Sequence, residues 1–175
     1  VAKSTNASFC ITSDLLKDFL PSTCEPIIVK NVLTAVAKIT EEFYPNSVVD
    51  EFDAKVLNIE DSDYSSVTHG KNVLLGENVK IGVNCLIGHN TIIEKNVQIG
   101  DNCMIGSNTI IRNSIIKNNV SILDNCTIGK KGFGFFPNKK KNLRYPHIGI
   151  VIINEGCEIG CGATIDRGSM SNTEI

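Results

Sequence analysis

Three histidines are the side chains of this sequence best suited to acid–base chemistry near neutral pH. They are His69, His89 and His147. His69 stands where isoleucine stands elsewhere in the chain, and His89 stands two residues after such an isoleucine, where side chains point outward. We therefore expect structural or solvated roles for His69 and His89. His147 follows a long non-repetitive segment and is the better candidate for a site.

A second candidate is a segment that combines basic and aromatic side chains. Such a segment suits a phosphate-bearing or acidic partner, although a run of charges is more often a solvated face. Exposed phenylalanines are costly unless they pack on a neighbouring subunit or contact an acyl chain. The side chains concerned are Phe133, Phe135, Phe136, Lys139, Lys140, Lys141 and Arg144.

The elements that must position these residues follow from an internal repeat. A large aliphatic residue recurs every six positions, with one five-residue step and one long interruption. A helical period of 3.6 residues cannot generate this spacing, so the repeat is the main evidence for the fold. Its members are Leu75, Ile81, Ile87, Ile93, Ile99, Ile105, Ile111, Ile116, Ile122, Ile128, Ile153, Ile159 and Ile165.

Three further positions of each hexamer are restricted. Glycine often follows the aliphatic residue, where a side chain would crowd a tight corner. Two residues after that corner comes asparagine or glycine, which adopt the left-handed backbone region cheaply. A small residue follows, as a narrow and filled prism requires. The asparagine and glycine column comprises Asn78, Asn84, Asn90, Asn96, Asn102, Asn108, Asn119, Asn125, Gly156, Gly162 and Gly168.

The pattern predicts an all-β solenoid, a parallel β-helix of hexapeptide repeats over residues 51–175. It resembles the hexapeptide-repeat proteins, which wind left-handed against the usual crossover rule. The interruption at 130–152 is too long for a corner and predicts a protruding loop. Asp166 and Arg167 break the glycine column, which indicates a surface ion pair or a subunit contact.

The repeat also explains most of the seven cysteines. Cys85, Cys103, Cys126 and Cys157 occupy the small inward position, so we expect buried structural thiols rather than catalytic or metal-binding ones. The others lack the spacing of a metal site. We therefore predict no metal site.

Residues 1–50 lack the hexamer and read as part of an incomplete α+β domain. A small domain that caps the first coil is the simplest interpretation, and ligand binding is the alternative. The predicted elements are a strand at 7–12, a short helix from Asp14 capped by Ser13, a strand at 26–30 and a longer helix from Val32 to about Tyr44.

The net charge of -2 and pI near 5.9 argue against a nucleic-acid binder. We find no secretory signal and no apolar run that could cross a bilayer, and we therefore expect a cytoplasmic protein. Because the chain opens on Val1 and ends abruptly at Ile175, we interpret it as a fragment.

Several segments resemble the UDP-3-O-acylglucosamine N-acyltransferase family, which acts in lipid A biosynthesis. The resemblance covers essentially the whole chain, and VKNVLTAVAKITEEFYP is similar to the closing helix of that family's nucleotide-binding domain. The other segments are IIRNSIIKNNVSI, IGKKGFGFFPN, PHIGIVIINEGCEIG and CGATIDRGSMSNTEI.

The resemblance implies a homotrimer that uses acyl-carrier-protein and a UDP-sugar as substrates, without a further cofactor. In that family a histidine is the general base and a backbone N–H stabilises the oxyanion. That histidine is expected about fifteen residues beyond Ile175, so this chain would hold no catalytic residue and would be inactive alone. The residues that hold the uracil are expected ahead of Val1.

The resemblance leaves two groups of site candidates. Phe133, Phe135 and the basic stretch Lys139, Lys140, Lys141 and Arg144, with His147, could border the donor or acyl site. Asp166 and Arg167 are the candidates near the site.

Two other classes of function remain open. A γ-type carbonic anhydrase uses the same fold, but it needs three histidines that converge on zinc, and His69 and His89 match no such motif. A non-catalytic β-helix fragment with exposed terminal coils is the second alternative.

Overall fold

The structure is a computed structural model that describes residues 2–137 and 142–175. The chain divides into two compact units. The small unit comprises residues up to Val48 together with Gly134–Pro146, and the β-helix unit comprises Val49–Phe133 and His147–Ile175. The repeat pattern predicted the boundary at residue 50 and assigned the whole interruption to a loop of the β-helix.

Three parallel sheets form the faces of the β-helix unit, and successive strands along the chain join the three sheets in turn. The first face contains Thr68–His69, Leu86–Ile87, Met104–Ile105, Ser121–Ile122 and Glu158–Ile159. The second contains Leu74–Leu75, Ile92–Ile93, Ile110–Ile111, Thr127–Lys131 and Thr164–Arg167, with Leu57–Asn58 antiparallel at its edge. The third contains Lys80–Ile81, Gln98–Ile99, Ser114–Ile116, Val151–Ile153 and Thr173–Glu174.

The core of this unit is the predicted aliphatic column. Ile93, Ile111, Ile122, Ile128 and Ile153 are completely buried. Burying one such side chain contributes roughly 1.5–3 kcal/mol. Most of the small inward residues are buried between them, but Cys157, which was predicted to be buried, is only partly buried. Several donate to the next coil, as Cys85 Sγ does to the Gly100 carbonyl at 3.1 Å. The predicted solenoid of hexapeptide repeats is therefore confirmed.

The corners use the residues that the hexamer predicted. Asparagine backbones there have positive φ, from 46° at Asn113 to 62° at Asn96 and Asn125. Many of these side chains form ladders between coils, as Asn72 donates to Asn90 at 3.0 Å. Gly156 and Gly162 follow the rule. Gly168 does not have a positive φ. Glycine is required there because a Cβ would collide with the Ser171 carbonyl.

The glycine that follows the aliphatic residue lies under the next coil. A Cβ at Gly88 would collide with the backbone of Gly106 and Ser107. The same atom at Gly160, for which the 175 residues include no following coil, would meet nothing within 4 Å. The glycine column is therefore required by close stacking of coils rather than by the corner alone.

Among its described residues, the small unit contains two strand pairs and one α-helix. Asn31 caps the α-helix, since its side chain accepts a hydrogen bond from the Thr34 N–H at 2.9 Å. Ser13 precedes a 3-10 helix but forms no side-chain cap. The parallel pair is Phe9–Thr12 with Glu25–Ile28, the antiparallel pair is Phe135–Phe136 with Leu143–Arg144, the α-helix is Val32–Phe43, and the 3-10 helices are Ala2–Ser4 and Asp14–Phe19.

All seven cysteines lie in the described ranges, and all are free thiols. Burial raises the pKa of the Cys85 and Cys103 thiols, which makes both poor nucleophiles. Of the helices that the structure describes, none combines the length and the apolar character needed to cross a membrane.

Candidate functional site

The predicted protruding loop begins where two strands continue past a corner of the β-helix. The strands Thr127–Lys131 and Thr164–Arg167 pair in parallel, with an irregularity between Ile128 and Lys130. Gly129 permits this irregularity because its φ is 80°, and a Cβ there would collide with the Arg112 carbonyl. We call residues 130–133 and 147–149, with Asp166 and Arg167, the arm root.

His147 and Asp166 meet at Gly132 in the arm root. A Cβ on Gly132 would lie 2.8 Å from His147 Nε2 and 3.5 Å from Asp166 Oδ2. His147 is only 8% exposed, whereas Asp166 is exposed. The structure therefore brings together two predicted site residues, and the absent side chain at Gly132 leaves the space between them.

Arg167 binds the segment in which the chain returns from the protruding loop to the β-helix. Its guanidinium donates to the carbonyl oxygens of Ile148, at 3.0 Å, and Gly149. Burial lowers the pKa of Arg167, and the Asp50 charge opposes that shift. In the described part of the chain no ion pair joins Arg167 to Asp166, so the predicted surface ion pair is not formed. The guanidinium binds the two backbone carbonyls instead.

A charged corner lies beside the arm root and was not predicted. We define it as Asp50, Glu94, Arg112 and Lys130. Arg112 donates to the Glu94 carboxylate from one nitrogen and to Asp50 Oδ1 from the other, at 3.3 Å. Lys130 Nζ lies 2.7 Å from Asp50 Oδ2. One guanidinium thus connects two coils to the segment that begins the unit.

The pKa values at this corner shift in opposite directions. Burial alone would raise the pKa of Asp50, but the hydrogen bond and charge of Lys130 and the charge of Arg112 hold it below its ordinary value. Burial raises the pKa of Glu94, and Arg112 offsets this only in part. The charged form of Asp50 is therefore the one that the fold stabilises.

A sequence signal for the charged corner exists. Glu94 and Arg112 follow Ile93 and Ile111, at positions where most other corners carry glycine, and they are 18 residues apart. Opposite charges one coil apart in a column rich in glycine indicate a stacked pair. Asp50 lies outside the repeat, so no spacing could have identified it.

The remaining candidates lie on both units. Phe133, at the end of the arm root in the β-helix unit, is 89% exposed. In the small unit the Arg144 guanidinium lies 5.6 Å from the Phe135 ring centroid, in cation–π geometry. Phe136 packs edge-on against Tyr145. Lys139, Lys140 and Lys141 lie outside the described residues.

The small unit has a cleft of about 360 Å³ beside its α-helix. Lys38 and Glu41 line it from the helix, Arg144 lines it from the antiparallel strand pair, and Asn142 lines it from just before that strand. Its mixed charge suits a small polar ligand with an anionic group.

The other histidines take part in contacts within the coils. His89 Nδ1 accepts a hydrogen bond from the Lys71 N–H at 2.8 Å, and His69 Nδ1 lies 3.0 Å from the Gly70 carbonyl oxygen. Within residues 2–137 and 142–175, no group of three or more His, Cys, Asp or Glu side chains is placed to hold a metal ion. The arm root thus places the His147 imidazole and the Asp166 carboxylate beside Gly132, next to the backbone that Arg167 holds. This arrangement suits the positioning of a polar substrate.

Comparison with protein families gives a match within the regular coils. The family described as the GMPPB C-terminal domain matches residues 69–132. This match covers about a third of the chain and agrees with the hexapeptide-repeat fold.

Individual relatives extend the comparison to the whole chain. The UDP-3-O-acylglucosamine N-acyltransferase 2 of Legionella pneumophila (strain Paris) is 38% identical over 177 residues, which cover 99% of this chain and 51% of that protein. The UDP-3-O-acylglucosamine N-acyltransferase of Acinetobacter baylyi is 33% identical over 99% of this chain and 49% of its own length. A shorter match, 47% identical over 45 residues, joins 26% of this chain to 13% of the protein of the same name from Synechococcus sp. (strain WH7803). The chain spans about half the length of the two relatives that it matches throughout.

Proposed function

The chain belongs to the same family as the curated UDP-3-O-acylglucosamine N-acyltransferases, and from this membership we propose that the protein is an N-acyltransferase of lipid A biosynthesis. The donor is a hydroxyacyl thioester of acyl-carrier-protein, and the acceptor is UDP-3-O-acylglucosamine. The protein acts in the cytoplasm as a homotrimer and needs no further cofactor. The observation that carries the proposal is the match to the Legionella protein over 99% of the chain.

The reaction replaces a carbon–sulfur bond with a carbon–nitrogen bond. The 2-amine nitrogen attacks the thioester carbonyl carbon, the carbon–nitrogen bond forms, and the carbon–sulfur bond breaks. The amine loses one proton to a general base, and the departing sulfur takes up one proton to leave as a thiol. We propose that this base is a histidine outside the 175 residues, and that a backbone N–H stabilises the oxyanion.

Within this chain, the arm root supports substrate positioning. His147 and Asp166 present an imidazole and a carboxylate beside Gly132, and Arg167 holds the backbone next to them. Phe133, exposed at 89%, is an apolar surface for an acyl chain or a neighbouring subunit.

Acyl transfer by the full-length protein tests the proposal. The protein is incubated with the hydroxyacyl-carrier-protein and UDP-3-O-acylglucosamine, and the nucleotide sugar is weighed by mass spectrometry. We expect a product heavier by one hydroxyacyl group, and no product from the 175-residue chain alone. Absence of product from the full-length protein would overturn the reaction. Turnover by the chain alone would overturn the placement of the base.

A further inference from the structure

The chain passes between its two units at three places, after Val48, after Phe133 and after Pro146. Polar groups of the β-helix unit lie close to each of these passages. Asp50 follows the first passage by two residues, and Lys130 precedes the second by three. The backbone carbonyls of Ile148 and Gly149 follow the third. Each passage can therefore be held by a polar contact made on the β-helix unit.

Two arginines from separate coils bind these groups. Arg112 donates to Asp50 at 3.3 Å, and Asp50 in turn lies 2.7 Å from Lys130 Nζ. This pair of contacts connects the first passage to the second. Arg167 donates to the carbonyl oxygens of Ile148 and Gly149 and so holds the third.

The arginines are held in place by the coils that carry them. The Arg112 side chain is 9% exposed and pairs with Glu94, one coil earlier, whose side chain is 12% exposed. Arg167 ends a strand that pairs with Thr127–Lys131. Lys131 faces Arg167 in the register of this strand pair, one residue after Lys130, which binds Asp50. Asp50 and the strand that carries Lys130 therefore link the two arginines.

We propose that Arg112 and Arg167, joined through Asp50 and the strand that carries Lys130, form a clamp that gathers the three passages at one corner of the β-helix. The clamp fixes where the chain leaves and re-enters the coils. It therefore positions both ends of the protruding loop that carries the candidate residues. It does not depend on the proposed function, because it concerns only how the chain is held.

Hydrogen exchange of the 175-residue chain, followed by mass spectrometry, tests the clamp with Asp50→Asn. Asp53→Asn is the matched control, since Asp53 lies on the same segment but accepts from the backbone N–H groups of Lys55 and Lys95. We expect Asp50→Asn to speed exchange about ten-fold at 130–133 and at 148–149, with the coils unchanged, because local opening is set by local contacts. Asp53→Asn should leave both regions at the wild-type rate, and Asp50→Glu should restore most of the protection.

Three results would overturn the clamp. Faster exchange in both variants would indicate a general loosening of the segment around 50–53. Faster exchange at 130–133 with no change at 148–149 would indicate two separate contacts. Faster exchange in all coils, together with a lower melting temperature, would indicate a global loss of stability. Arg167→Lys provides a second variant, and it must speed exchange at Ile148, whose N–H donates to the Ser169 carbonyl at 2.7 Å.

Discussion

The regular coils and the charged corner use the same backbone lattice in opposite ways. In the coils, glycine follows the buried isoleucine so that the next coil can stack closely, as at Gly88. At the charged corner, Glu94 and Arg112 occupy the equivalent positions and are nearly buried. Repetition thus supplies stability, while departure from the repeat supplies buried polar groups next to the arm root.

Arg112→Met should cause the largest loss of stability in this comparison. The change leaves Glu94 buried without its partner, and breaking a buried ion pair costs about 4 kcal/mol. Chemical denaturation of the 175-residue chain measures the loss. The double variant Glu94→Gln/Arg112→Met is the control, and it should recover at least half of the lost free energy of unfolding. Equal loss in single and double variants would show that the charges are not coupled.

Ile111→Ala should cost almost as much, because Ile111 is completely buried. Removing an isoleucine side chain from a close-packed core costs about 3 kcal/mol. The neighbour Ile110 points outward and is only partly buried, so Ile110→Ala should cost less than half as much. Urea unfolding measures the free energy of unfolding that each variant loses. Similar losses would contradict the inward assignment of the column.

The sequence predicted the coils far better than the charged corner. The period of six placed Ile111 in the core and Asn90 in a left-handed turn, because each residue in a repeat is constrained by its copies. Arg167 illustrates the opposite case. Its neighbour Asp166 suggested an ion pair, but the guanidinium binds two carbonyls from the returning chain, which no local spacing could reveal. Asp50 was missed because its partners, Arg112 and Lys130, lie far from it along the chain.

A smaller effect distinguishes two glycines of one column. Gly88→Ala should destabilise the chain by about 2 kcal/mol, since its Cβ would overlap the next coil. In the 175-residue chain, Gly160→Ala should change stability by less than about 0.5 kcal/mol, because no following coil lies within contact of its Cβ. Thermal unfolding of the two variants provides the measurement. A large loss at Gly160 would show that the corner conformation, rather than stacking, requires glycine.

The smallest expected effect concerns the pH dependence of stability. Because Asp50 has a pKa below its ordinary value of 3.8, its contribution is present above that value and is lost as the pH falls through the folded pKa. Asp50→Asn should therefore weaken the acid dependence of the urea midpoint, by less than about 1 kcal/mol for this partly exposed pair. Asp53→Asn is the control. An unchanged acid dependence in Asp50→Asn would show that the pair contributes nothing to stability.

Glu94 should act with the opposite sign. Because its folded pKa is raised, its contribution is present below the unfolded pKa and is lost as the pH rises through the folded pKa. Glu94→Gln should remove that loss, and urea midpoints measured from acid to neutral pH check it. A midpoint for Glu94→Gln that tracks the wild type throughout would contradict this direction.

Selectivity for the acceptor is the measurement that tests the proposed N-acyl transfer most directly. The full-length protein is offered two nucleotide sugars that differ only at carbon 2, one with the amine and one with a hydroxyl group. We expect acylation of the amine and none of the hydroxyl analogue, as seen in the product masses. Comparable acylation of both acceptors, or of neither, would contradict the proposed reaction.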